Sequence, residues 1–364
     1  MQVPHGELLV VFDSGRIEFI DVTSGASLAT VRPDGAAVNG AAVSADFEHI
    51  AIRDANDRVR ILRLGLDETT DPAQIDWVAR RSDVEFDGRN CGYGCCVAMQ
   101  WTADGKHLVT WGDHWNHRAP VIGPQIWSPD GELEWTGPAA FDVDVHPAEN
   151  RIAFVRSNEV HIGWPGMGIE VVDVPGAYGD IEFDPDGRRL AVGGTANRIG
   201  DGEGETPLRT SMEGGATLRV VDGKNGDLIF AANVVSVGAG IGLESWVHRL
   251  AWSPDGQHIG MSLGKGHNPG VVSAKDGKRV LRALCAAGQM WSTFGVGWAS
   301  ERLFHPGWAM QQLVPIDDPE NPIPIGECWS ANCVPLDGTT DVILFHDEGL
   351  ARFDPVARRV VWQR

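Results

Sequence analysis

The side chains best equipped for chemistry in this sequence are its cysteines and a few histidines, and they cluster. Cys91, Cys95 and Cys96 lie together, with His114 and His117 a short way on, while Cys285, Cys328 and Cys333 form a later group. Thiolate and imidazole are the donors that zinc and copper take. Cys91, Cys95, Cys96, His114 and His117 are therefore one candidate metal set. A thiol beside a cation is instead a nucleophile or a redox group, and Arg89 or His114 could supply the cation. The third reading is structural: buried thiols, or a local disulfide such as Cys328–Cys333. No pair has the Cys-x-x-Cys spacing of zinc modules, so the three readings stand side by side. The expectation is no cofactor, with zinc or copper as the exception.

A second constellation is aromatic and acidic. Tyr93, Trp115, Trp246, Trp291, Trp308 and Trp329 fall in or beside Gly-, Asp- and Asn-rich segments, as do Asp113, Glu244 and Asp347. Indole faces ringed by carboxylates suit a cationic group, held by cation–π and ion-pair contacts, and Trp, Tyr and Arg are the residues that anchor interfaces. The plainer alternative is that these indoles cover apolar surface. The run Gly200-Asp201-Gly202-Glu203-Gly204-Glu205 has no Lys-Ser/Thr end and carries acids that repel phosphate, so it is no P-loop. Gly-x-Ser-x-Gly, His-Glu-x-x-His and Cys-x-x-Cys-His are all absent from the sequence.

The elements that must position these groups are announced by a repeat. Trp252-Ser253-Pro254-Asp255-Gly256-Gln257-His258-Ile259 is echoed by Phe183-Asp184-Pro185-Asp186-Gly187-Arg188-Arg189-Leu190 and by Trp101-Thr102-Ala103-Asp104-Gly105-Lys106-His107-Leu108. Weaker copies begin at Val43, Val145 and Trp298. Each is an apolar strand, a polar turn and a second strand of small or branched residues. Pro presets φ in such a turn, and Gly accepts a positive φ. A third strand follows and ends in Asp, as in Leu218-Arg219-Val220-Val221-Asp222, and a fourth closes the unit, as in Arg359-Val360-Val361-Trp362. Short strands in repeated four-strand units describe a β-propeller.

On these residues the chain resembles WD-repeat propellers and the related TolB-type propellers over nearly its whole length. The resemblance implies an all-β, single-domain propeller of four-stranded antiparallel blades spanning 1–364. Units lie near 5–31, 38–81, 95–136, 140–173, 179–233, 247–285, 293–328 and 332–363, which makes eight blades, with seven as the alternative. Residues 1–5 would have to supply the innermost strand of the first unit. In such blades the inter-blade links and the second-to-third links share one face, and the insertions 84–96, 112–124, 193–215, 234–246, 285–293 and 327–333 all fall there. Loops tolerate insertion and tend to carry function, so that face is the expected binding surface. His49, His107 and His258 recur at one repeat position, expected on the solvent side.

Composition narrows the partners. Of 364 residues 43% are hydrophobic, enough for a sizeable core, and the net charge of −20 opposes nucleic acid and anionic membranes. No window is long and apolar enough to span a bilayer, and no basic-then-apolar leader opens the sequence, so a cytoplasmic setting with reduced thiols is expected. The resemblance implies an interaction scaffold that binds a protein segment, peptide or ligand, cationic where charge decides. The rival is an enzyme with a metal- or thiol-assisted site at the channel mouth of the same face. Oligomeric state is open.

Overall fold

The computed structural model describes residues 2–3, 6–13, 16–31, 38–54, 59–63, 95–114, 123–156, 158–175, 177–195, 216–234, 247–263, 268–281, 297–299, 302–306, 311–318, 321, 323–326, 332–335, 339, 341–346 and 349–363. Among them every regular element is a β-strand, and the strands form eight sheets, seven of four strands and one of three. No helix among the described residues is long and apolar enough to cross a membrane.

The first sheet is β1 (Gln2–Val3), β2 (Gly6–Asp13), β3 (Arg16–Asp21) and β4 (Ser27–Val31). Its innermost strand comes from the extreme N-terminus, with Gln2 opposite Glu7 and Val3 opposite Gly6. The second sheet has β5 (Val38–Val43), β6 (His49–Asp54) and β7 (Val59–Arg63); the residues up to 81 expected to complete it lie outside the described ones. The third is β8 (Cys95–Trp101), β9 (Leu108–His114), β10 (Gln125–Trp127) and β11 (Leu133–Thr136). The fourth is β12 (Asp142–Val145), β13 (Ile152–Arg156), β14 (Glu159–Trp164) and β15 (Gly168–Asp173).

The fifth sheet is β16 (Ala177–Phe183), β17 (Arg189–Thr195), β18 (Ala216–Asp222) and β19 (Leu228–Val234). The sixth is β20 (Val247–Trp252), β21 (His258–Leu263), β22 (Asn268–Ser273) and β23 (Arg279–Leu281). The seventh is β24 (Gly297–Ala299), β25 (Arg302–Pro306), β26 (Gln311–Pro315) and β27 (Ile323–Gly326). The eighth is β28 (Asn332–Pro335), β29 (Val342–His346), β30 (Gly349–Asp354) and β31 (Arg359–Gln363). Contacts divide the chain into two compact units, Met1–Ile152 with Trp164–Gly168, and Ala153–Gly163 with Ile169–Arg364.

The central strands of the second and sixth sheets are apolar on both faces because these sheets pack against a neighbour on either side. In β6, Ile50 and Ile52 face the first sheet and pack with Ile17 and Phe19. Ala51, one residue out of phase, faces the third sheet with Trp101, Leu108 and Trp127. A strand's side chains alternate between faces, so burial on both sides erases the polar half of the alternation. The second unit repeats this. Leu218 and Val220 of the fifth sheet pack with Trp252, Ile259 and Met261 of the sixth, and Ala251 and Val271 of the sixth with Trp298 of the seventh.

A joint recurs where neighbouring sheets meet. The indole N–H of Trp101 donates to the Ala42 carbonyl of the preceding sheet, that of Trp252 to Glu182, and that of Trp298 to Ala251. Behind each of these indoles sits the repeat-position side chain of the preceding sheet. His49 lies 5.6 Å from Trp101 and His258 6.1 Å from Trp298, ring centre to ring centre. These histidines are half-buried against tryptophan, as is His107 at 5.1 Å from Trp164, which corrects the expected solvent placement. The sequence showed the recurrence but not that the next sheet's indole covers it. At the fifth sheet Arg189 takes the histidine's place, its guanidinium 4.7 Å above the Trp252 ring.

Candidate functional site

Within each four-stranded sheet, the first-to-second and third-to-fourth turns leave one end of the strands. The second-to-third link and the exit to the next sheet leave the other. The first kind of end carries only short links, none longer than 316–322. The second kind carries 115–124, 196–215, 235–246 and 282–296. The two kinds of end offer different chemistry.

At the tight ends, the polar side chains hold the turns themselves. Asp46 accepts from the Ser44 hydroxyl at 2.5 Å and from the Glu48 amide at 2.9 Å. Asp104 does the same with Thr102 and Lys106, and Asp255 with Ser253 and Gln257. Partial burial pushes each of these carboxyls up, but the hydroxyl and amide donors, together with the adjacent histidine, outweigh it and hold all three below the usual range. Asp46, Glu48 and His49 bring possible metal donors within 4.8 Å of one another. The same turn carries Lys106 or Gln257 where this one carries Glu48, and the aspartate is already spent on its turn, so the cluster reads as turn structure. In the second unit, a cleft of about 450 Å³ between turns of the fifth and sixth sheets is lined by Asp184, Asp222 and Asp255 among others. Asp184 is spent on Arg189, and Asp222 on the amides of Lys224 and Asn225.

Four of the candidate binding and metal residues lie at the long-link ends of described strands. Cys95 and Cys96 open β8, and Asp113 and His114 close β9. Cys95 is the register partner of His114, and Cys96 that of Asp113. These four are described by their backbone alone. Tyr93, Trp115, Trp246, Trp291, Trp308, Trp329, Glu244, Asp347, Cys91 and His117 lie outside the described residues.

Some charged groups near the inner strands give no signal in the sequence. Asp180 of β16 accepts from the Leu250 amide and pairs with Arg249 of β20 at 3.1 Å, tying the inner strands of two consecutive sheets. Buried Asp142 of β12 accepts from the buried Trp111 indole of β9 at 3.2 Å. Asp180 and Asp142 each stand next to an ordinary apolar residue, Ile181 and Val143, with nothing local to mark them.

No family model matches the chain, and no curated protein does. Solved structures do. One is a dihydro-heme d1 dehydrogenase, NirN, in complex with DHE, 14% identical with a TM-score of 0.63, the match covering 100% of this chain and 74% of that one. Another is the hydrazine synthase of Kuenenia stuttgartiensis, 13% identical with a TM-score of 0.50, covering 84% of this chain and 90% of that one. At such identities the likeness is one of fold, and neither the WD-repeat nor the TolB-type family is singled out by it. What this chain shares with these proteins is the β-propeller.

Proposed function

We propose that the chain is a single propeller of eight blades whose long-link ends form one binding face, and that this face engages a protein segment bearing Lys or Arg. The observation that carries the reading is the asymmetry of the strand ends: turns no longer than 316–322 at one kind of end, and the links 115–124, 196–215, 235–246 and 282–296 at the other. A scaffold keeps its frame on short, internally bonded turns and varies the links that meet the partner. Trp115, Trp246, Trp291, Trp308 and Trp329 with Tyr93 would supply the anchors, and Asp113, Glu244 and Asp347 the charge. A fold hosts many functions, and here the strand ends and their residues, rather than the propeller, support this one.

The test is binding to an array of Lys- and Arg-rich peptides against composition-matched acidic ones, by the chain and by a variant with Trp115, Trp246, Trp291 and Trp308 all changed to Ala. Loss of interface anchors costs about 2 kcal/mol or more, so the variant should bind more than about tenfold more weakly. A folded variant with unaltered binding overturns the reading.

A second reading, a metal- or thiol-assisted site at the same ends, is favoured by the register of β8 and β9, which sets cysteine opposite histidine and cysteine opposite aspartate. It takes the thiols as reduced, as in a cytoplasm. Elemental analysis of protein purified without chelator checks it, with a haem titration alongside because a neighbour in fold is a dihydro-heme d1 dehydrogenase. Metal far below one equivalent, together with no thiol-dependent activity, removes this reading.

A further inference from the structure

We propose that His146 is a proton-operated latch on the turn between β12 and β13: the neutral imidazole holds the turn shut, and protonation in mild acid releases it. The residue is buried, only 4% exposed. Its Nδ1 accepts from the Ala148 amide at 3.1 Å and from the Glu149 amide at 2.9 Å. A ring nitrogen that accepts carries no hydrogen, so the ring is neutral and its proton sits on Nε2.

This turn keeps the frame of its counterparts and changes the acceptor. The His146 amide donates to the Arg151 carbonyl as the Ser44, Thr102 and Ser253 amides donate to His49, His107 and His258. In those three turns a hydroxyl and a carboxylate take the inner amides: Ser44 with Asp46, Thr102 with Asp104, Ser253 with Asp255. Here His146 stands at the hydroxyl position and Ala148 at the carboxylate position. One imidazole nitrogen has taken over from two oxygen acceptors.

The exchange alters what acid does. A proton on Nδ1 takes the lone pair that both amides use and sets a donor against two donors. Buried amides left without that acceptor are costly, and opening the turn to water relieves them. A hydroxyl does not titrate, and a carboxylate keeps its charge down to about pH 4. An imidazole changes state between about pH 5 and 8.

The carboxylates around the ring already have partners. Glu149 pairs with Arg151 at 3.1 Å within the turn. Asp104, on the turn of the third sheet, accepts from the Asn150 side chain at 2.8 Å as well as from its own turn donors, Thr102 and the Lys106 amide. On β12 itself Asp142 accepts from the Trp111 indole, and Asp144 is engaged too. Arg151 and Lys106, on these same two turns, are cations and favour the neutral ring. The Asn150 bond to Asp104 ties the latch to the third sheet, so its release frees a tie between neighbouring sheets.

Hydrogen exchange of the whole chain, read by mass spectrometry over 145–152 and corrected for the intrinsic rate, tests the latch between about pH 7.5 and 5.5. Protection there should fall about tenfold over this drop, one decade for the unit below the ordinary histidine value of about 6.5. The turn 184–189, which contains no histidine, is the internal reference and should hold. His146→Asn, whose side-chain oxygen can accept the same amides without titrating, should keep its protection at both pH values. His146→Ser with Ala148→Asp, which writes the turn in the form of Ser44 and Asp46, should do the same. A nitrogen-15 spectrum of the parent chain at the higher pH should show Nδ1 without a hydrogen. Unchanged protection of 145–152 in the parent overturns the proposal, as does Nδ1 carrying the proton or an equal loss of protection in either folded variant.

Discussion

At the residue scale, the turn aspartates set how the protein responds to acid. Asp46, Asp104 and Asp255 have carboxyls held below their ordinary value of 3.8, since hydroxyl and amide donors outweigh the opposing effect of partial burial. A folded-state value below the unfolded one gives stability that is complete above the unfolded value and is lost as pH falls through the folded one. The melting temperature should therefore decline as pH drops below about 4. A triple Asp→Asn variant at these positions should start lower and show a flatter decline, measured by thermal melts across that range; an unchanged slope would mean the turns are not the acid-sensitive elements. Gly105 of the same turn has φ +69°, and a Cβ there would meet the Asp46 carboxylate at 2.8 Å. Gly105→Ala should cost about 1–2 kcal/mol in denaturant unfolding, from left-handed strain plus that contact.

These turns were the most legible part of the sequence. The Ser/Thr-x-Asp-Gly spelling names the hydroxyl, the carboxylate and the residue that takes positive φ, and all three act within six residues of chain. The partner of His49 was not legible, because Trp101 lies a whole repeat away. Cys95 and His114 show the same limit. Proximity in sequence grouped Cys95 with Cys96, whereas the strand period separates them and register pairs each with a residue of the next strand.

At the scale of elements, the joint between the fifth and sixth sheets is spelled differently from its counterparts. Where the second, third and sixth sheets place Ser or Thr at the turn and His five residues later, the fifth places Asp184 and Arg189. Asp184 accepts from both the Arg189 amide and its Nε, while the same guanidinium donates to the Gly256 and Ala274 carbonyls of the sixth sheet. Arg189→Ala strands the buried Asp184 and should cost about 2–3 kcal/mol, at or below the range for breaking a buried pair because the guanidinium is partly exposed. Asp184→Ser with Arg189→His rewrites the turn in the form of Ser253 and His258 and should recover most of that loss. A double-mutant cycle measures this, and additive losses would show that the two spellings are not equivalent. The edge strands yielded their place but not their surface: Leu228 and Ile229 of β19 are 62% and 47% exposed, which an apolar run alone would have assigned to a core.

At the scale of the whole molecule, a net charge of −20 governs encounter with any partner. If the long-link face takes a cationic segment, association should slow and affinity fall as salt rises and the Debye length shrinks from about 10 Å at 0.1 M to about 3 Å at 1 M. Stopped-flow association with a Lys-rich peptide at several ionic strengths measures this, and salt-independent rates would leave the aromatic residues as the whole of the attraction. The all-β class and the repeat units could be read from the sequence because each unit spells its own strands and turns. The chemistry of the long-link ends could not, since it depends on links whose residues come from different repeats.

The indole joint also has a direction. The third, sixth and seventh sheets each reach back with a tryptophan N–H to a carbonyl of the predecessor, and the second, fifth and sixth each offer the successor an imidazole or guanidinium to close over. In the sixth sheet hook and eye sit on opposite flanks, Trp252 toward the fifth and His258 toward the seventh, so a duplicated copy of β20–β23 spliced in behind the original would find both halves of the fastening waiting. The same copy grafted in reverse order would find neither. A chain fastened in this way can lengthen or shorten by whole units through tandem copying, with each new seam already cut to fit.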